Sequence, residues 1–200
     1  MNSATRDKII RAAMDLFWVK GYNSTSISDI LSRTQVHSGS LYHFFPGKQD
    51  VLIAVLETYR DEIDVGLLDH AWEGVEDPIE KIFALLNGYR THLLTTDYQY
   101  GCPIGSLALE LHEPDPRVRE LIDRNFRNWV GAVEGCLTDA ANRFPRDLDR
   151  TALAEFILTI MEGAIMQART AQDIGLFDRN IEVLREHLDL LMKQRAMQDS

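Results

Sequence analysis

The chain has 200 residues, 45% of them hydrophobic and 26% charged, the make-up of a globular protein with one large or two small domains. Only two cysteines occur, Cys102 and Cys136, which excludes a disulfide scaffold and a four-thiolate zinc site. The net charge of −10 excludes indiscriminate coating of nucleic acid, yet it is unevenly spread: six Lys/Arg against four Asp leave the first fifty residues at +2, and the remaining 150 at −12. No run of roughly 18 apolar residues stands out, so no membrane span is expected. The opening MNSATRDKII has no basic-then-apolar signal pattern, so a cytoplasmic protein is expected.

The elements read as helices throughout, with neither sustained alternation nor a hairpin signal. Helix one starts near Thr5, carries Ile9, Ala13, Leu16 and Phe17 on one face, and ends at Gly21. Ser26 and Asp29 have the spacing of a capping box, opening a short helix that buries Ile27, Ile30 and Leu31. TQVH (34–37) is a tight turn, Ser38–Phe45 a third short helix, and Pro46-Gly47 its stop. A fourth helix begins at Lys48, with Val51, Leu52, Val55, Leu56, Tyr59 and Ile63 along one face. Longer helices are expected from Pro78 to about Thr95, over 116–141, over 151–170 and over 177–195. A loop (97–105) and a short helix (106–112) lie between the first two.

The last two helices are unusual. Adjacent apolar pairs over 151–170 make a stripe too wide for one neighbour, and 177–195 has a seam of Ile181, Leu184, Leu188 and Leu191. Part of that surface is expected to meet a second copy of the chain, through Phe156, Ile160, Ile181, Leu184, Leu188 and Leu191.

Residues 25–48, TSISDILSRTQVHSGSLYHFFPGK, have the layout of a helix-turn-helix: a capped helix, a turn, and a slim second helix. Ser38, Gly39 and Ser40 are small enough for close approach to base edges. Leu41, Phe44 and Phe45 would anchor the helix, and Tyr42 and His43 would point outward. The competing reading is a helical hairpin that only packs. The fold class expected is all-α, with a helix-turn-helix DNA-binding domain (1–47) and a larger helical domain for effector binding and dimerisation (48–200).

These motifs resemble the TetR-type bacterial transcriptional repressors. The resemblance covers the first roughly 60 residues, on LFWVKGY, SISDIL and GSLYHFFPGKQDVL; YGCPIGSLALEL (100–111) is similar to the LmrA/YxaF-type members. It implies a homodimer on a palindromic double-stranded operator, released by a small-molecule effector. It further implies Thr25 and Ser26 at phosphate, Ser38, Ser40, Tyr42 and His43 facing DNA, and Lys48 holding a phosphate with backbone N–H groups. Two positions depart from the family pattern. Gln35 stands where a turn glycine is common, and would be strained if the turn needs a positive φ. Ser38 stands where a basic residue is common, which removes a bidentate Arg–guanine contact.

In the larger domain, Tyr89, His92, Tyr98, Tyr100, Cys102, His112 and Trp129 are candidates to line an effector pocket, as aromatic-rich cavities between helices do. The alternative for each is a core or surface role, and for the two cysteines a small buried hydrophobe rather than a sensor thiol. The histidines lack ligand spacing, so neither metal nor other cofactor is expected. P-loop, dinucleotide, nucleophile-elbow and zinc-protease motifs are missing, so an enzyme is not expected. A helical small-molecule carrier or enzyme with a vestigial head is the alternative function.

Overall fold

The computed structural model describes residues 2–62 and 67–198. Among the described residues there are ten α-helices and no strand, so the all-α expectation holds. The helices are α1 (Asn2–Lys20), α2 (Ile27–Thr34), α3 (Ser38–Phe44), α4 (Lys48–Glu62), α5 (Asp69–Trp72), α6 (Pro78–Thr95), α7 (Pro103–Glu110), α8 (Pro116–Asp139), α9 (Arg150–Ala171) and α10 (Ile174–Gln198), with a 3-10 turn at Ala141–Arg143. Ile63, expected on the face of α4, lies outside the described residues. The short α5 was not anticipated, and α7 starts at Pro103 rather than residue 106.

The chain divides into two compact units, Met1–Glu62 with Pro103–Phe126, and Ile63–Cys102 with Arg127–Ser200. The packing therefore does not break after residue 47. The reason lies in α4, which buries Val51, Leu52, Val55 and Leu56 against the core of the first unit. Asn125 of α8, itself buried, donates from Nδ2 to the Leu56 carbonyl at 3.0 Å, and Arg117 bonds Glu57 at 2.9 Å.

In the first unit, α1 supplies Ile9, Ile10, Ala13 and Phe17, α2 supplies Ile30, and α3 supplies Leu41, followed by Phe45. Burying that many large side chains at about 1.5–3 kcal/mol each is what holds α2 and α3, too short to persist alone, against α1. Local chemistry sets their ends. Ser26 caps α2: its Oγ accepts the Asp29 N–H at 3.1 Å while Asp29 accepts the Ser26 N–H at 2.8 Å. Gln35 ends α2 in the left-handed region (φ 55°, ψ 27°), donating its N–H to Leu31. The turn does need a positive φ, and a glutamine supplies it at a cost of about 1–2 kcal/mol.

In the second unit, α9 lies against α10 and α6. It buries Leu153, Ala154, Ile157, Met161, Ala164, Ile165 and Ala168. By length and composition alone α9 is apolar enough to cross a bilayer, contrary to the reading of the bare sequence. Here its buried face packs against neighbouring helices. Asp149 caps α9 at the Ala152 N–H, and Asp77 caps α6 at Ile79 and Glu80, with Pro78 in the first turn.

Candidate functional site

The helix-turn-helix presents its second helix outward. Leu41 is wholly buried, whereas Ser38, Gly39, Ser40, Tyr42 and His43 of α3 are exposed, Tyr42 by 53%. The His43 ring rests edge-on against Phe44, with centroids 5.1 Å apart. A Cβ at Gly39 would meet nothing within 4 Å, so internal packing places no demand for a glycine there. The result is a slim helix with hydroxyl, phenol and imidazole groups on its free face, suited to hydrogen-bonding base edges and phosphates.

The supporting loop, residues 21–25, is gripped from two sides. Lys48, at the first residue of α4, donates from Nζ to the carbonyls of Tyr22 and Thr25, both at 2.9 Å, and sits 4.2 Å from the Tyr22 ring centroid. Two of its three N–H bonds are thus committed inside the protein. Glu110, the last residue of α7, accepts the Tyr22 N–H at 2.8 Å and the Asn23 N–H at 2.6 Å. Gly21 makes this possible: it has φ +84°, and a Cβ there would lie 3.0 Å from both Glu110 oxygens. Burial, then Asp50 and Glu110, push the Tyr22 phenol above its ordinary pKa.

Thr25 does not face outward. It is 1% exposed, and its hydroxyl donates to the Gly21 carbonyl at 2.7 Å and the Leu16 carbonyl at 3.2 Å. The phosphate contact expected of its side chain is therefore closed off, because the loop needs that hydroxyl to satisfy its own carbonyls. Ser26 is exposed but spends its hydroxyl on the cap. Its partner Asp29 is held well below the usual carboxylate range, by the Ser26 bonds first and Lys20 after them.

In the second unit the candidates Tyr89 (α6), Cys102 and Trp129 (α8) come together around a group the sequence reading missed, Glu162 of α9. Burial raises the Glu162 carboxyl pKa, partly offset by a hydrogen bond from the Cys102 thiol. Burial first, then Cys102 and Glu162, push the Tyr89 phenol well above its ordinary value. The Trp129 N–H is close enough to act on that phenol but completes no hydrogen bond. His92 and Tyr100 stack loosely at 6.3 Å, and burial lowers the His92 pKa. Tyr98 is half-buried, in a loop with two successive left-handed residues, Asp97 (φ 49°) and Tyr98 (φ 57°). Arg169 of α9 holds that loop through the carbonyls of Tyr98 (3.3 Å) and Gln99 (2.9 Å).

His112 is a correction. It is exposed and belongs to the first unit, because α7 ends at Glu110 with that carboxylate on the 21–25 loop. Glu162 left one signal in the sequence: it is the single acid inside the α9 stripe between Phe156 and Ile165. Cys136 is 4% exposed, and burial pushes its thiol up to about 11, the state of an inert core cysteine. Among the described residues no cluster of three or more His, Cys, Asp or Glu could hold a metal ion.

The expected dimer residues also divide. Leu184 and Leu188 are 2% and 0% exposed within their own chain, so they cannot form an outer seam. A seam at spacings of three and four says that a face is buried, and here α9 and α6 bury it. Ile160, Ile181 and Leu191 are half-buried, and Phe156 is 44% exposed with its ring against His187 at 6.1 Å. The apolar residues that do face outward are Phe156 and Met166 on α9, and Val183, Leu190 and Met197, seven apart, on α10.

An exposed recognition-type helix on a packed three-helix head, joined to a larger helical body, defines a DNA-binding regulator. The sequence profile described as "Bacterial regulatory proteins, tetR family" matches residues 9–55, and that described as "Transcriptional regulator LmrA/YxaF-like, C-terminal domain" matches residues 78–182. The chain belongs to the TetR family of transcriptional regulators, in the branch with an LmrA/YxaF-like C-terminal domain. It is 31% identical over 200 residues to an HTH-type transcriptional regulator of Mycobacterium tuberculosis, covering 96% of this chain and 97% of that one. It is 25% identical over 185 residues to the HTH-type transcriptional repressor DhaR of a Mycobacterium species, covering 92% and 91%. A crystal structure of a TetR regulatory protein from Rhodobacter sphaeroides superposes with a TM-score of 0.82 at 25% identity, covering 92% of this chain and 99% of that one.

Proposed function

We propose that this regulator is a repressor that binds a palindromic operator as a homodimer in the cytoplasm and leaves it when a small molecule occupies the second, larger helical unit. The observation that carries this reading is the outward face of α3. Ser38, Ser40, Tyr42 and His43 are the groups that touch DNA, with Ser26 at the start of α2. Lys48 acts mainly by fixing the 21–25 loop, and its one uncommitted N–H is the phosphate donor. A neutral recognition face reads bases without the bidentate Arg–guanine pair. The name of the relative DhaR, a transcriptional repressor, supports the repressor sign.

Two heads are needed for a palindrome, and the exposed apolar strip of Phe156, Met166, Val183 and Leu190 supports a pairing of α9 and α10 from two copies. DNA selects one spacing of the two heads and effector another, so effector weakens DNA binding only by its differential affinity for the two states. Both α4, through Lys48, and α7, through Glu110, grip the loop behind the reading head, and a shift of either one reaches it. The test is a crosslink that fixes the heads at their DNA-bound spacing. Induction is then abolished; induction that persists contradicts the mechanism.

A further inference from the structure

Four separate segments of the second unit contribute one carboxyl, one phenol, one thiol and one indole N–H: the Tyr89 phenol lies within electrostatic reach of Cys102, Glu162 and Trp129, and the Cys102 thiol bonds the Glu162 carboxyl. Two atoms of this cluster, Glu162 Oε1 and Trp129 Nε1, are buried and have no hydrogen-bond partner among the described residues. Trp129 is 97% buried by exposure of 3%. A covered polar atom without a partner costs about 1–3 kcal/mol, so a fold that keeps two such atoms around the Tyr89 phenol leaves both open to a group that completes them. The site is also built. Arg169 straps the 98–99 carbonyls to α9, and Gly101 lies so close that a Cβ would sit 2.9 Å from Ile165 Cγ2. That places Cys102 over the turn of α9 that carries Glu162.

Resting on the reading of the chain as ligand-responsive, we propose that Glu162 anchors the positively charged nitrogen of a small aromatic amine, with the Tyr89 and Trp129 rings beside it. The choice of a cation follows from what surrounds the carboxyl. Among the described residues the Cys102 thiol is the group that offers it a hydrogen, and no cation acts on it. A half-buried acid with a covered oxygen gains most from a ligand that brings the missing charge, and aromatic faces favour the same charge. The net charge of −8 on the residues of the second unit draws cations toward it and repels anions. Trp129 Nε1 keeps a donor for an oxygen or π-face elsewhere on the ligand.

The test uses three probes of one skeleton, 2-phenylethylamine, 2-phenylethanol and phenylacetate, titrated calorimetrically into the full-length protein at neutral pH. The amine binds at least about tenfold more tightly than the alcohol, and phenylacetate most weakly. Glu162→Gln brings amine and alcohol to within about threefold of each other. Equal binding of all three, absent amine binding, or an unchanged preference in the variant overturns the proposal. A second readout does not depend on that variant folding: the amine quenches the indole fluorescence that is lost in Trp129→Phe. Quenching that persists undiminished in Trp129→Phe also overturns it. Amine binding with the expected preference, but with no release of operator DNA, instead contradicts the ligand-responsive reading and leaves the site assignment standing.

Discussion

The backbone N–H of Tyr22 donates to Glu110 Oε2 at 2.8 Å, across 88 residues of sequence. The same carboxylate accepts the Asn23 N–H, so one side chain at the end of α7 holds the loop that seats the reading head. Glu110→Ala leaves two N–H groups without their acceptor, and stability falls by about 1–2 kcal/mol in denaturant unfolding. Glu110→Gln keeps one oxygen and loses about half as much. Operator affinity drops in both without a change in sequence preference; a change in preference would mean that Glu110 reaches the recognition face.

Lys48 holds that loop from the other side. Lys48→Met removes two charge-assisted bonds to carbonyls and a cation over the Tyr22 ring. The expected loss is about 1–2 kcal/mol of stability, with the salt dependence of DNA binding reduced by roughly one phosphate contact. Urea melts and titrations at several salt concentrations separate the two effects. A variant as stable as the parent would show that the two bonds to the loop contribute nothing.

At Gln35 the expected change is a gain. Gln35→Gly relieves the left-handed strain but loosens the unfolded chain, for a net stabilisation of about 0.5–1 kcal/mol and a rise in Tm of a few degrees. A lower Tm would show that the glutamine side chain compensates for its backbone.

Much of the head was legible because its signals are local. The Ser26–Asp29 cap, Gly21, the 34–37 turn and Pro46-Gly47 each fix a neighbouring dihedral or hydrogen bond, and the apolar spacing of α1 to α4 says which faces go inside. The inward turn of Thr25 was not legible, since a hydroxyl at a helix start serves an outside phosphate or an inside carbonyl equally well by sequence. Nor was Glu110, whose partners lie far away in the chain. Leu184 and Leu188 show the same limit from the other side: periodicity reveals a buried face but not what covers it. Glu162 was overlooked because a stripe is recognised by its apolar members, and the acid within it carries the information.

Glu162 gives the protein a pH signature. Its carboxyl holds a proton more tightly folded than unfolded, because burial disfavours the charge. Its contribution to stability is therefore complete below the ordinary carboxyl pKa and is lost as the pH rises through the raised value. Glu162→Gln removes that loss. Thermal melts of variant and parent are expected to agree most closely near pH 4 and to diverge toward pH 8, with the variant the more stable. A gap that narrows with rising pH contradicts the buried-acid assignment.

For the proposed pairing of copies, Val183→Glu with Leu190→Glu places charge on the exposed face of α10 and is expected to give a monomer in sedimentation where the parent sediments as a dimer, while each chain keeps its helix content. Leu188→Ala acts differently. It hollows the core by about 2–5 kcal/mol and lowers stability without singling out the dimer.

The most direct measurement of the central claim is fluorescence anisotropy of the full-length protein on the promoter DNA flanking its own gene, compared with a Ser40→Asp, Tyr42→Asp variant at the same salt. The account predicts saturable binding of two chains per site, at least about a thousandfold tighter than to unrelated DNA, and loss of that preference in the variant. Equal binding of parent and variant to the promoter fragment would contradict a regulator that reads DNA with α3.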